Sequence, residues 1–381
     1  MRITLVSVAE WEYTGVDRSL AVMANEMISR GHQVTVLVPS IINPDPYGFF
    51  GLSVRVKLKD MGLKKNIRIP LFGHIAYQVS RLKVVRERID ETSPDVVVSF
   101  GNKMNLYCLL GRKHFSVPLI VSERTDPRMH KIEFTYQILR KKLYPFADAV
   151  VAQTPQISEY LSNLVPTEAI VTIPNPVRPM VSGDPPSWFM DYVRENDKVI
   201  VLVGRLEHQK GFDLFLEAFG GLAGHFPEWK VLILGEGKMR GFLERSINAM
   251  GLKAQVHLVG VVKDPEKVLR AADLFVLSSR FEGFPNALIE AMACGLPCVS
   301  FDCPSGPSEI IQNRVNGLLV PPEDVSGLAH ALDIMMKDCS LREEFVQNSA
   351  EVLQCFSFDS VMDTWEDLLK RVVSGKGHPW Y

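Results

Sequence analysis

A chain of 381 residues, 46% apolar and 23% charged, is too long for a single ordinary core and too apolar for a disordered polymer. Its net charge of -2 hides a split: residues 1–180 carry 23 Lys/Arg against 16 Asp/Glu, and the remainder carries 19 against 28. The asymmetry suits a first half that faces something anionic, although scattered solvated charges account for the totals equally well; no nucleic-acid partner is expected.

Met1–Val8 runs straight into polar residues and reads as a first strand rather than a secretory leader. Further strands are predicted at 33–39, 52–58, 95–100, 118–122, 149–153 and 169–173, with helices at about 18–30, 74–92, 103–113, 129–143 and 155–163. A Pro-rich stretch from Ile173 to Pro179, with Pro185 and Pro186 soon after, disfavours helix and reads as a linker. The alternation restarts with strands at 199–203, 230–234, 256–259, 274–278, 297–301 and 317–320, and the tail from about 324 is helical. The expected fold class is α/β: two Rossmann-like doubly wound domains facing across a cleft, at 1–175 and 190–355. No apolar run approaches the roughly 20 residues of a membrane span. The six cysteines sit mostly within apolar runs, so a reducing, cytoplasmic location is expected.

Ligands of such sheets bind beyond the carboxyl ends of the strands. Gly204-Arg-Leu-Glu-His-Gln-Lys-Gly211 follows the apolar strand Val199–Val203 and precedes a helix from Phe212. Arg205 and Lys210 there, with free backbone N–H groups, suit a diphosphate and would stabilise it as a leaving group; an ordinary charged surface loop is the bland alternative. The stretch from Ser278 to Val299 is more specific. A strand enters a turn holding Gly283 and Pro285, and a helix then runs from Asn286, the expected N-cap, to Cys294, with Gly295 closing it. Glu282 lies just before that helix and Glu290 a turn inside it, so the pair can reach two ends of one ligand.

Glu282-x7-Glu290 within Phe-Glu-Gly-Phe-Pro, preceded by Gly-Arg-Leu-x4-Lys-Gly, resembles the retaining glycosyltransferase family 4 of the GT-B fold. The likeness extends to Pro174-Asn175-Pro176, to Asp302–Glu309 and to Asn316–Pro321, and is strongest for bacterial enzymes assembling polysaccharide, lipopolysaccharide or lipid-linked oligosaccharide. The resemblance implies a nucleotide-sugar donor, UDP-linked by family frequency, a glycan or polyprenyl-diphosphate-linked acceptor, and no metal or other cofactor. Arg205 and Lys210 match the family's diphosphate-binding cations, and Glu282 the carboxylate on the donor sugar. Gly283, Phe284, Pro285, Asn286 and Ala287 match the backbone that holds sugar and phosphate, and Glu290 the ligand of the ribose. Tyr13–Ser19 matches a glycine loop in which Gly15 is kept and Thr14 replaces a glycine. Many members carry a His after the strand matching Pro118–Val121; here Val121-Ser-Glu-Arg-Thr offers Glu123 or Arg124 instead. Glu123 is expected to orient the acceptor, or else to pair with Arg124 or Arg128. The closing helix, about 357–375, is expected to pack back on the first domain.

Gly235-Glu-Gly237 with Gly241 has the wrong spacing for a dinucleotide fingerprint, yet the loop is expected to lend N–H groups near the diphosphate. Cys294, Cys298 and Cys303 lack a nearby His and read as packing, not a metal site. In the first half, Leu63–Phe72, the helix bearing Arg81, Lys83, Arg86 and Arg88, and Arg140–Phe146 mix basic and apolar residues, which suits peripheral contact with an anionic membrane or solvated helix faces. Two rival functions remain: a UDP-sugar epimerase of the same architecture, and a nucleotide-sugar-binding subunit without catalysis.

Overall fold

A computed structural model describes residues 1–11, 15–42, 45, 47–48, 51–63, 74–112, 116–128, 134–177 and 183–375. The chain divides into two compact units, Met1–Asn175 with Asp359–Tyr381, and Pro176–Phe358.

The first unit alternates β1 (Arg2–Ser7), α1 (Gly15–Ser29), β2 (Gln33–Val38), β3 (Lys57–Asp60), α2 (His74–Asp90), β4 (Val96–Phe100), α3 (Asn102–Gly111), β5 (Leu119–Ser122), α4 (Phe134–Leu143), β6 (Ala149–Ala152), α5 (Pro155–Leu161) and β7 (Ile170–Thr172). All its strand pairs are parallel, in the order β3-β2-β1-β4-β5-β6-β7. The central strands read as unbroken apolar runs because helices cover both faces of a parallel sheet. Sequence order reverses between β1 and β4, which opens a crevice at their carboxyl ends.

The second unit runs β8 (Lys198–Val203), α6 (Phe212–Gly220), β9 (Trp229–Leu234), α7 (Arg240–Ala249), β10 (Val256–Gly260), α8 (Pro265–Arg270), β11 (Leu274–Leu277), α9 (Asn286–Ala293), β12 (Cys298–Phe301), α10 (Pro307–Ile310), β13 (Leu318–Val320), α11 (Val325–Lys337), α12 (Cys339–Asn348) and α13 (Ala350–Cys355). Its sheet is also parallel, ordered β10-β9-β8-β11-β12-β13, with the reversal between β8 and β11. Apolar clusters lie on both sheet faces, one around Phe215, Phe219, Trp229 and Phe301, the other around Phe275, Leu288 and Met292. Two parallel doubly wound sheets are what the sequence led us to expect.

The last helix, α14 (Phe358–Val373), belongs to the first unit. Asp363 meets Arg30 at 2.6 Å, Glu366 meets His32 at 3.1 Å, and the Trp365 and Phe100 rings lie 6.4 Å apart. One strand prediction is corrected. A strand was expected at 52–58, but Val54 is 87% exposed and the ladder with β2 begins at Lys57. Leu52 and Val56 are buried from a turn, a burial pattern that period-2 reading cannot separate from a strand. Among the described residues no helix is long and apolar enough to cross a membrane.

Candidate functional site

The adjacency of β8 and β11 decides what meets at the carboxyl end of the second sheet. Leu274 pairs with Ile200 and Phe275 with Val201, so the loop after β8 and the turn after β11 emerge side by side. Hydrogen bonds stitch them together. Ser278 Oγ donates to Lys210 O at 3.0 Å, the Arg280 amide to Gln209 O at 2.8 Å, Gln209 Nε2 to Phe281 O at 2.9 Å, and Arg280 Nη1 to His208 O at 2.8 Å. Arg280 is fixed in turn by Asp213 in the first turn of α6, at 2.7 and 2.9 Å. Burial alone would raise the Asp213 pKa, but the Arg280 hydrogen bonds and charge outweigh it and hold the carboxyl below its ordinary range. Gly211 is the hinge of this packing. Its φ of +62° is left-handed, and a Cβ there would lie 1.9 Å from Ser278 O. Only glycine meets both demands.

The result is a close pair of opposite charges. Lys210 Nζ lies 2.6 Å from Glu282 Oε1, which also accepts from Ser279 Oγ at 2.6 Å. The lysine side chain is 18% exposed and the glutamate 6%, so the ammonium is the more accessible partner. Arg205 is exposed and makes no ion pair among the described residues. Glu290 sits within α9, half-buried and engaged. Phe284 is a core residue whose ring lies 5.6 Å from Phe356, so its side chain is committed to packing. Ser305 Oγ braces the turn by donating to Gly283 O at 3.0 Å.

Two details of the expected donor loop change. Pro285, not Asn286, occupies the N-cap position of α9, and the Asn286 amide bonds Phe284 O at 3.0 Å. Proline's fixed φ sets the entry to the helix without a side-chain cap. Gly235 does not offer its N–H to a ligand, because that group donates to Gly260 O at 2.7 Å. The glycine is required for another reason: a Cβ on Gly235 would stand 1.9 Å from Gly204 O. Gly235 and Gly237 thus allow the loop after β9 to lie against Gly204–Leu206, and the Leu206 amide bonds Glu236 O at 2.9 Å. Cys298 and Cys303 are buried, and burial raises both thiols well above their ordinary range, so neither is a thiolate near neutral pH. Ser278, Ser279, Gln209, Arg280 and Asp213 carry the geometry, yet their local sequence says little of it. The one available signal is Ser279 three residues before Glu282.

In the first unit, Gly15 opens α1, while Tyr13 and Thr14 and the Lys64–Phe72 run lie outside the described residues. Glu123 is 0% exposed, directly after β5. Its expected partners prove wrong: Arg128 binds Asp126 at 2.6 Å, Arg124 donates to Asn175, and Glu123 instead faces Arg140 of α4 at 3.5 Å and accepts from the Tyr144 hydroxyl. The packing of α4 over the end of β5 brings these groups in from 17 and 21 residues away, beyond any local reading. Tyr144 also meets Asn105 at 3.1 Å, Asn105 accepts from Ser99 at 2.7 Å, and Arg140 donates to Asn102 at 2.7 Å. Glu123 Oε2 has no hydrogen-bond partner among the described residues, and burial pushes the carboxyl above its usual range, opposed by Arg140 and Tyr144. The network is sealed from solvent and ties β4, β5, α3 and α4 together.

Comparisons with known proteins fit these two units. The model "Glycosyl transferase 4-like domain" matches residues 14–176, and "Glycosyl transferases group 1" matches 189–352. The chain is 26% identical over 374 residues to the GalNAc-alpha-(1->4)-GalNAc-alpha-(1->3)-diNAcBac-PP-undecaprenol alpha-1,4-N-acetyl-D-galactosaminyltransferase of Campylobacter jejuni subsp. jejuni serotype O:2, covering 98% of this chain and 99% of that protein. It is 25% identical over 360 residues to the amylovoran biosynthesis glycosyltransferase AmsD of Erwinia amylovora, covering 93% and 95%. Among solved structures, Anabaena HepE in complex with UDP superposes with a TM-score of 0.76 at 18% identity, covering 97% of this chain and 100% of that one. Two parallel sheets in the GT-B manner, and two matched halves that together span most of the chain, place it among the glycosyltransferases of the group 1 and 4-like family.

Proposed function

We propose that the protein is a retaining, metal-independent hexosyltransferase that moves a hexose or N-acetylhexosamine from a UDP-sugar to a glycan or polyprenyl-diphosphate-linked acceptor, in the building of a surface polysaccharide, lipopolysaccharide or related glycan. The observation that supports it most is Lys210 held 2.6 Å from Glu282 at the carboxyl end of the second sheet, with exposed Arg205 on the same loop. The names of the Campylobacter and Erwinia relatives point to the acceptor class, and the UDP of HepE to the nucleotide.

In this reading a diphosphate draws the Lys210 ammonium away from Glu282 and places it, with Arg205, on the leaving group, where charge grows as the glycosidic bond breaks. Glu282 is thereby released to bind sugar hydroxyls, and Glu290 takes the ribose. The acceptor hydroxyl attacks from the face the diphosphate leaves and passes its proton to a phosphate oxygen. Exposed Val79 and Ile138, beside Lys83, Lys141 and Lys142, support peripheral docking of the first unit on the cytoplasmic face of an anionic membrane.

Acceptor-dependent release of UDP from a panel of UDP-sugars tests the assignment, and the anomeric coupling of the product in NMR tests retention. Binding of UDP-sugars with no transfer to any prenyl-linked or free glycan would support a binding subunit instead. Conversion of the sugar without an acceptor would support an epimerase.

A further inference from the structure

Beside the buried Glu123 network stands a cation that no carboxylate of the described residues pairs. Arg124, one residue further along, makes no ion pair among the described residues. Its Nη2 donates to Asn175 Oδ1 at 2.5 Å, and its guanidinium carbon lies 5.5 Å from the centre of the Phe100 ring. The nearest acids in sequence are taken: Glu123 by Tyr144 and Arg140, Asp126 by Arg128. Burial lowers the Arg124 pKa to about 10, and no carboxylate of the described residues counters it. A half-buried guanidinium is normally paired, since removing a charge from water without compensation is costly. An amide oxygen and an aromatic face orient this one without neutralising it.

Its setting is suited to an anion. The Gly101 amide donates to Ser122 O at 3.1 Å, which fastens the start of α3 to the segment that carries Arg124. The first turn of α3 contains no acid, its cap Gly101 supplies no side-chain bond, and Lys103 follows. The Asn102 side chain, which could have capped the turn, is bound to Arg140. We propose that Arg124, at this end of the first sheet, is an anion subsite for a phosphate or diphosphate group, separate from the Arg205–Lys210 loop. Glu123 then acts as a positioning residue: by holding Arg140 and Tyr144 it is kept from pairing with Arg124, which leaves the guanidinium for a ligand.

The site itself does not depend on the transferase reading, which enters only in naming the source of the phosphate. Calorimetric titration of full-length Lys210→Ala protein with inorganic diphosphate reads the site without the second unit's lysine. Adding Arg124→Gln is expected to weaken that binding by about 10- to 100-fold, as loss of charge-assisted bonds implies, and Arg124→Lys is expected to restore part of it. Equal affinity with and without Arg124→Gln, in proteins that melt at the same temperature, overturns the proposal. Arg124→Gln alone then identifies the source. A weaker Kd for UDP assigns the subsite to the donor, whereas an unchanged Kd with a raised KM for a short prenyl-diphosphate-linked sugar assigns it to the acceptor. If neither moves, the subsite serves no substrate and the proposal fails, even where transfer itself is intact.

Discussion

Each unit places a carboxylate against a cation at the carboxyl end of its sheet, and the two pairs are built for opposite ends. Glu282 and Lys210 join a loop to a turn through one ion pair, and the lysine side chain keeps 18% of its surface in solvent. Glu123 and Arg140 are 0% and 3% exposed and are enclosed by Tyr144, Asn102 and Asn105. An entering anion can compete for the first pair, whereas the second is withdrawn from solvent. Burial, rather than residue type, therefore separates a pair that a ligand can exchange from one that fixes the scaffold.

The sharpest break is at Glu123. Its removal in Glu123→Ala leaves Arg140 buried without its carboxylate, and unfolding in urea should show a loss of about 3–5 kcal/mol. Unchanged stability would mean that the network is not structural. Lys210→Ala should do the reverse, with a modest change in stability but a fall in acceptor-dependent UDP release of roughly 100- to 1,000-fold in kcat. Should the two variants show the same pattern, the distinction between the pairs is lost.

Arg280→Ala tests whether the exchangeable pair depends on its support. With the bonds to His208 O and Asp213 gone, the loop loosens, and UDP binding should weaken by about 10-fold, roughly 1.4 kcal/mol. The smallest effect concerns acid. An aspartate held low in the folded chain stabilises it above the unfolded pKa of about 3.9, and that stability is lost as pH falls through this value toward the folded one. Between pH 5 and pH 3 the wild type should lose more stability than Asp213→Asn, by less than about 1 kcal/mol because the pair is partly solvated. A larger loss in the variant would reverse the assignment.

Most of the fold was legible because parallel strands buried on both faces write continuous Val, Ile and Leu runs, as in Val199–Val203 and Val96–Val98, between amphipathic stretches. The Glu282 turn was legible because its glycine, proline and paired glutamates are local. What local reading could not supply was partnership across long separations. Lys210 and Glu282 are 72 residues apart, and only the strand order makes them neighbours. Glu123 looked like a residue on an open edge because it follows a strand, and the helix that covers it lies further down the chain. The strand expected at 52–58 failed for a related reason: alternating burial can arise from a turn pressed on a core.

The ownership of α14 sets an order of events. The first unit opens with β1 but is completed by α14, which the chain reaches only after every strand of the second unit has been made. Until then Phe100, the aromatic face beneath Arg124, lacks Trp365, Arg30 has Glu26 but not Asp363, and His32 lacks Glu366. A protein truncated before Phe358 would carry all the strands of the second unit and an unfinished first unit, so maturation of the Arg124 region waits on a helix that lies beyond the whole of the second sheet.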